Sequence, residues 1–517
     1  MALIRPSRMV AAALAAALVA PLVAVFLELP AGAIDGQATA FWRVSLPRYA
    51  AGTLVLLSSV VPLACLSGAL QAWLLHRYRF PGSRALRWAS LLPFSLPSYL
   101  IAYVYADLLQ VTGPVQTLLR ETFGLGIGGY WFPEVRSTWF AVLVLVAALQ
   151  PYVVLTVAAL LRAQSDCVVD AARTLGLSAR GAFTRVALPL LRPALAVGGA
   201  LVAMEVLNDF GTVDHLAVDT LATGITRSWY GYGSKPTALL LAAALLALSL
   251  TMIVAERAAR GRRRFEQAGG VYHRSASRPL RPFAAGLAAV FCWSWVVFGF
   301  AVPTTSLLVH ATGASFDLAA LAGMTGRSVA LAAGAAVLVA LIGFAVAWGN
   351  RRLSWWQAWS RSATALGYSV PGAVVAVGVM SLLPGAIGSV ALLLHGYAVR
   401  FSAIGVHGFD AALHKISPAM DEAARTLGYA PLGVARRIYA PLLGPATLTV
   451  LTLVFVDTLK ELSATMILSP LDFPVLSTHI HNLASDERLV DSAPAALVLI
   501  AAGLIPLLLA QRGGGVP

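Results

Sequence analysis

DAARTLGLSARGAFTRVALPLLRPA runs from Asp170 to Ala194, and EAARTLGYAPLGVARRIYAPLLGPA runs from Glu422 to Ala446. The two stretches share one register, 252 residues apart and without a gap. Gly176 falls on Gly428, Pro189 on Pro441 and Pro193 on Pro445. The register continues where MEVLNDFGT from Met204 meets VDTLKELSA from Val456. Chance is a poor explanation for an ungapped match of this length. The chain reads as one unit used twice.

Each copy has the chemistry of helix, bend, helix. Ala171, Ala172, Arg173, Thr174 and Leu175 suit a short helix, and Gly176 stops it, because glycine accepts the left-handed conformation at a helix end. Ser178 is placed to cap a second short helix, and Phe183, Val186 and Leu188 give that helix an apolar side. Pro189 and Pro193 mark the start of a longer apolar helix. The segment is too apolar for a solvated loop and too charged for lipid. Such a knob suits docking into a cleft on a soluble partner, and two in register suit a partner with twofold symmetry. The other reading is an amphipathic segment lying on a membrane surface.

Composition puts the rest of the chain in a membrane. Of 517 residues, 59% are hydrophobic and 12% charged, and the mean hydropathy is +0.78. A soluble globular chain carries about 25% charged residues. The net charge of +14 raises nucleic acid as a partner, but its placement argues against that. Arg77, Arg79, Arg84 and Arg87 follow one apolar run; Arg257, Arg260, Arg262, Arg263, Arg264, Arg274, Arg278 and Arg281 follow another; Arg351, Arg352 and Arg361 follow a third. Basic clusters in every second loop are the positive-inside pattern of a multi-pass membrane protein. Cys65, Cys167 and Cys292 are far apart, with Cys167 expected in a cytoplasmic loop, and they form neither a metal-spacing motif nor a disulfide framework.

The expected fold is an all-α membrane protein with about twelve transmembrane helices in two parallel six-helix repeats. Candidate spans fall at 9–28, 50–75, 89–110, 138–161, 192–212 and 236–256, then at 283–307, 327–348, 363–384, 387–408, 441–464 and 491–510. Residues 1–256 form the first half and 283–517 the second, and 257–282 is a basic cytoplasmic linker whose arginines can touch anionic lipid. The repeated loops occupy 162–190 and 409–440. Both follow the fourth span of their half, so both face one side. Even numbers of spans per half put both termini on the arginine-rich, cytoplasmic side. The apolar run from Met9 to Leu29 exceeds the core of a cleaved signal, about 7–15 residues, and reads as an uncleaved first span.

Charged residues inside spans are the candidate functional groups. Glu205 and Asp209 lie four apart on one helix face, and Asp457 and Glu461 hold the equivalent places in the second half. A charge at mid-span costs about 2.5–3.5 kcal/mol on insertion scales and normally faces a bundle interior or water-filled cavity. With Asn208 they are candidates to line one central pathway, where carboxylate oxygens suit transient contact with a hard cation. The structural alternative pairs Asp457 or Glu461 with Lys460 or a loop arginine, lets Asn208 bond across helices, and sets the carboxylates near the outer interface. His479, His481, Asp214, His215 and Asp219 are read as polar residues of outer loops, and Trp42, Trp131 and Trp229 as interfacial anchors. No firm metal site and no catalytic constellation stands out.

Both repeated segments resemble the EAA loop of binding-protein-dependent ATP-binding-cassette (ABC) permeases, in which Glu-Ala-Ala, three residues and a Gly precede a more distant Pro. Glu422, Ala423, Ala424, Gly428 and Pro441 match that pattern; Asp170, Ala171, Ala172, Gly176 and Pro189 match it with Asp for Glu. The resemblance implies a type I importer permease in the bacterial inner membrane. Each loop then seats in one subunit of a homodimeric ABC ATPase, and ATP binding draws the two halves together. A periplasmic solute-binding protein delivers the ligand. No G-x-x-x-x-G-K-[ST] loop is present, so ATP and Mg²⁺ belong to a separate ATPase chain, and this chain is a transport subunit that binds no cofactor and is not an enzyme.

The fused layout, with LPSYLIAYVYADLL from Leu96, GPVQTLLR from Gly113, YWFPEVRS from Tyr130 and MEVLNDFGTVDHL from Met204, is similar to ferric-iron uptake permeases and implies iron transport, with transient Fe³⁺ contact at Glu205, Asp209, Asp457 and Glu461. Fused thiamine permeases share that layout. A secondary transporter driven by an ion gradient also predicts repeats and intramembrane carboxylates, but not paired knobs.

Overall fold

The computed structural model describes residues 4–29, 41–163, 167–260, 278–349, 370–414 and 416–512. Most of the basic linker expected at 257–282, the arginines at 351, 352 and 361, and the start of the span expected at 363–384 lie outside the described residues.

Apolar runs of 20 or more residues become long helices because only a helix satisfies every backbone polar group within its own segment. The first half contains α1 (Ile4–Leu27), α2 (Leu46–Arg77), α3 (Ser98–Leu109), α4 (Thr138–Ala163), α5 (Leu188–Asn208), the short α6 (Gly211–His215) and α7 (Lys235–Arg260). The second contains α8 (Pro282–Gly313), α9 (Leu318–Gly349), α10 (Gly372–Leu382), α11 (Val390–Leu413), α12 (Ala440–Lys460), the short α13 (Ser463–Leu468), α14 (Leu476–Ser485) and α15 (Leu489–Arg512).

Among the described residues nine helices are long and apolar enough to cross a membrane, or ten if the bent pair at 83–95 and 98–123 is one span. Two shorter apolar helices stand at Gly372–Leu382 and Leu489–Leu504. Of the about twelve spans expected from hydropathy, not all appear as single long helices among the described residues. The third is bent by 89° at Pro97, whose ring supplies no N–H to continue the helix before it. The fifth and eleventh stop at Asn208 and Lys460, short of their expected ends at 212 and 464, because a new short helix starts in each case.

The duplication is visible in the packing. α2, α4 and α5 form a tight three-helix core in the first half, and α9, α11 and α12 form its counterpart. Small residues let these backbones approach, as in other membrane bundles. A Cβ on Gly68 of α2 would meet Val153 of α4 at 2.8 Å, and one on Gly343 of α9 would lie 2.5 Å from the Gly405 backbone of α11. The first helix of each half crosses over. α1 lies against α9 and α10, and the far end of α8 lies against α3 as well as α15. The two halves therefore share one continuous apolar core. Tyr78 and Arg79 also pair in parallel with Arg278 and Pro279, joining the end of α2 to the approach to α8.

Candidate functional site

α5 and α12 occupy equivalent places, and their ends meet between the halves. The proline-initiated helices α3 and α10 start beside them, after Pro97 and Pro371. A cavity lies where these ends meet, lined by Tyr99, Tyr152, Glu205, Asp457, Lys460 and Arg400 among others. Asn208, Asp209 and Glu461 line it too. The five residues singled out in the sequence thus converge on one cavity in the body of the bundle, not at the outer interface.

Their bonding differs. Asp209 Oδ1 accepts the Thr212 and Val213 N–H groups at 3.0 and 3.2 Å, and Oδ2 accepts the Thr212 and Ser98 hydroxyls. Glu461 Oε1 accepts the Ala464 N–H at 2.9 Å, and its Oε2 is 3.1 Å from Arg400 Nη2, with both side chains buried. Both carboxylates cap the short helix that follows them, α6 or α13. Asn208 Oδ1 accepts the Gly372 N–H at 2.8 Å and an Arg400 guanidinium N–H, while Ser463 donates to the Asn208 carbonyl at 2.8 Å. Lys460, the counterpart of Asn208, donates to the Phe94 carbonyl at 2.5 Å and sits 4.3 Å from the Phe94 ring centroid. Each member of the 208/460 pair reaches into the opposite half.

Glu205 and Asp457 are the least committed. Tyr152 Oη is 3.4 Å from Glu205, a long contact, and no hydrogen bond or ion pair holds Asp457 among the described residues. Arg400 was not singled out from sequence. The partner of Glu461 comes from the middle of α11, not from a loop arginine, and the available signal was a lone charge within the apolar run YAVRFSAIGV from Tyr397.

The outer-loop reading of the histidines is corrected. His215 is on α6, and His479 and His481 are on α14. His481 is buried, with Nδ1 2.6 Å from Tyr103 Oη, and the His215 ring packs edge-on to Tyr103 at 4.6 Å. Burial pushes the His215 imidazole down to about 4, helped by Arg136 and His481. Asp219, on the turn before a short helix, lies 2.5 Å from Arg48 and 2.6 Å from Arg227, and Asp214 of α6 is 3.3 Å from Arg227. These groups hold short helices together because hydropathy alone cannot. Trp131 is exposed and Trp229 half-buried; the Trp42 side chain lies outside the described residues.

The two knobs share a backbone. Helix Cys167–Thr174 ends where Leu177 N–H bonds to the Ala172 carbonyl at 3.2 Å and Gly176 N–H to that of Arg173 at 3.1 Å. Helix Pro418–Thr426 ends with Tyr429 N–H on Ala424 at 3.1 Å. Gly176 has φ +92° and Gly428 φ +79°, the left-handed turn expected of them. Ser178 Oγ accepts the Gly181 N–H at 3.1 Å, as its capping position predicts. In the second knob Ala430 stands there, and Arg437 instead bonds Tyr429 Oη at 2.8 Å. Cys167 opens the first short helix of its loop; its side chain and those of Asp170 and Glu422 lie outside the described residues. Ala172 and Ala424 are buried beneath the turns, Ala171 and Ala423 face outward, and Leu175 and Leu427 at the tips are 86% and 75% exposed. Pro189 and Pro441 stand in the first turns of α5 and α12.

A duplicated helical bundle with a polar cavity between its halves and one knob per half is the build of a multi-pass transport subunit. The chain belongs to the binding-protein-dependent transport system inner membrane component family, whose model matches residues 60–264, and it is an ABC transporter permease. It is 24% identical over 506 residues to the Fe(3+)-transport system permease protein FbpB 2 of Haemophilus influenzae, covering 95% of each chain. Over 434 residues, 75% of this chain and 62% of the relative, it is 26% identical to the ferric transport system permease protein FbpB of Actinobacillus pleuropneumoniae. It is also 31% identical over 230 residues to the sulfate transport system permease protein CysT of Escherichia coli K12, covering 41% of this chain and 77% of that one.

Proposed function

We propose that this permease carries ferric iron inward, received from a periplasmic binding protein and driven by a homodimeric ATPase seated on the two knobs. The observation that carries the substrate is the pair Glu205 and Asp457. They are equivalent positions of the repeat, they face one cavity, and helix capping leaves them free while it occupies Asp209 and Glu461. Uncommitted carboxylates suit a hard cation. The cavity also holds Arg400 and Lys460, which would suit an anion such as sulfate. Arg400 is tied to Asn208 and Glu461, and Lys460 to the Phe94 carbonyl, so neither is presented as a free cation.

ATP and Mg²⁺ act on the partner ATPase, and this chain binds no cofactor. The exposed Leu175 and Leu427 supply each knob with an apolar tip for a cleft on that partner. Residues 1–256 and 283–517 act as the two moving halves, joined by the basic segment 257–282, with both termini on the knob side in the cytoplasm. The test is radioactive-iron uptake in proteoliposomes containing the ATPase and binding protein. Glu205→Gln with Asp457→Asn is expected to abolish ferric uptake while the ATPase still assembles. Full ferric uptake by the double variant, or sulfate uptake by the unaltered protein, would overturn the reading.

A further inference from the structure

A basic patch stands on the knob side of the molecule, where the two halves are joined. The start of α2 is fixed beyond the end of α5, where Arg48 bonds Asp219 and Thr53 accepts the Leu221 N–H, so its last turn at Arg77 lies on the side of the knobs. The strand pair of Tyr78 and Arg79 with Arg278 and Pro279 follows, and the Leu280 N–H bonds to the Arg79 carbonyl at 3.2 Å. Gly82, at φ +77°, turns the chain into the short helix Ser83–Ala89. Leu86 and Ala89 of that helix are buried in one apolar cluster with Ala285, Ala288 and Cys292 of α8. Arg84, Arg87 and Trp88 are left exposed on its other face, and Arg281 is exposed at the start of α8.

This positive charge has no local counterweight. Residues 74–106 and 267–316 contain no Asp or Glu, and no ion pair engages Arg84, Arg87 or Arg281 among the described residues. Like charges held close together repel, so an anion from outside is favoured there. Further into the bilayer, Phe283, Leu287 and Val290 recur at helical spacing on α8, and all three are exposed. α8 is the least buried of the long apolar helices among the described residues. Arginines at the membrane surface, a tryptophan at headgroup level and an apolar stripe leading inward match the two-part chemistry of a phospholipid. A soluble anion would use the arginines and leave the stripe without a role.

We propose that this patch binds an anionic phospholipid of the knob-side leaflet. Arg84, Arg87 and Arg281 hold its headgroup, and its acyl chains lie along Phe283, Leu287 and Val290. The lipid offsets repulsion between arginines of the two halves and so ties them together at the strand pair. The site requires only that α8 faces the bilayer, and it is independent of what the central cavity carries.

The purified full chain in detergent is mixed with equal amounts of phosphatidylglycerol and phosphatidylcholine, and retained lipid is counted by native mass spectrometry. The unaltered protein is expected to prefer phosphatidylglycerol, and the preference should fall about fivefold for each arginine removed in Arg84→Gln, Arg87→Gln and Arg281→Gln. Phe283→Ser with Leu287→Ser should lower phosphatidylglycerol retention with the arginines intact, and glycerol phosphate at the same concentration should displace little of it. All five positions are exposed, so these variants should melt as the unaltered protein does in phosphatidylcholine alone. Equal retention of the two lipids by the unaltered protein, or a preference that survives in the triple arginine variant, overturns the proposal. Full displacement by glycerol phosphate would reveal a site for free phosphate and overturns it as well.

Discussion

Asp209 and Glu461 perform the same task in opposite halves of the molecule: each ends a long membrane helix and caps the short helix that follows. The two carboxylates therefore have a structural duty that Glu205 and Asp457 lack. Asp209→Ala removes acceptors for two backbone N–H groups and two hydroxyls. A lost cap of this kind costs about 0.5–2 kcal/mol. Thermal unfolding in detergent should show a lower midpoint for Asp209→Ala and a smaller drop for Asp209→Asn, which keeps an acceptor oxygen. Equal midpoints for Asp209→Ala and the unaltered protein would refute the capping role.

Arg400 and Glu461 form a buried pair, with side-chain exposures of 7% and 3%. Removing one member strands the other charge away from water, a change that costs about 3–5 kcal/mol when a buried pair is broken. Arg400→Met should therefore depress thermal stability strongly. Adding Glu461→Gln should restore part of the loss, because the stranded group is then neutral. If the two substitutions simply add, the pair is not coupled.

His215 gives a pH dependence with a definite sign. Its imidazole is held down to about 4 in the folded protein by burial, with Arg136 and His481 acting in the same direction. The unfolded chain takes up the proton first, near the ordinary value of about 6.5. Stability from this group is thus complete above about pH 6.5 and drains away as pH falls toward 4. Melting curves across that window should slope downward with acidity, and His215→Gln should flatten the slope. An unchanged slope in His215→Gln would assign the dependence to other groups.

The two repeats and the knobs were legible because their signals are local: Gly176 and Gly428 need a left-handed turn, and prolines recur at fixed distances beyond them. The convergence of Glu205, Asn208, Asp209, Asp457 and Glu461 followed from their register in the duplication. What hydropathy hid was how those carboxylates divide their work. Capping depends on where a helix breaks, and a window of apolar residues runs smoothly across the breaks at Asp209 and Glu461. Arg400 escaped for a related reason, since it sits in an apolar run with no equivalent charge in the other half. His481 looked like a loop residue because the short helix that carries it is too brief to register as a span.

The knobs offer the most direct test of coupling. Leu175 and Leu427 are large apolar side chains held outward at the tips of matching turns, and nothing within the described chain covers them. Leu175→Asp or Leu427→Asp should leave the bundle folded, since neither residue is buried. Each should weaken co-elution of the ATPase, and both together should abolish it, because apolar contact would be replaced by a solvated charge. Gly428→Ala acts differently: it forces a Cβ into a left-handed turn at a cost of about 1–2 kcal/mol, with open space around it. That variant should keep most of its ATPase binding yet lose uptake, because the angle between the two short helices changes. Undiminished ATPase co-elution by the double aspartate variant would show that the partner docks elsewhere.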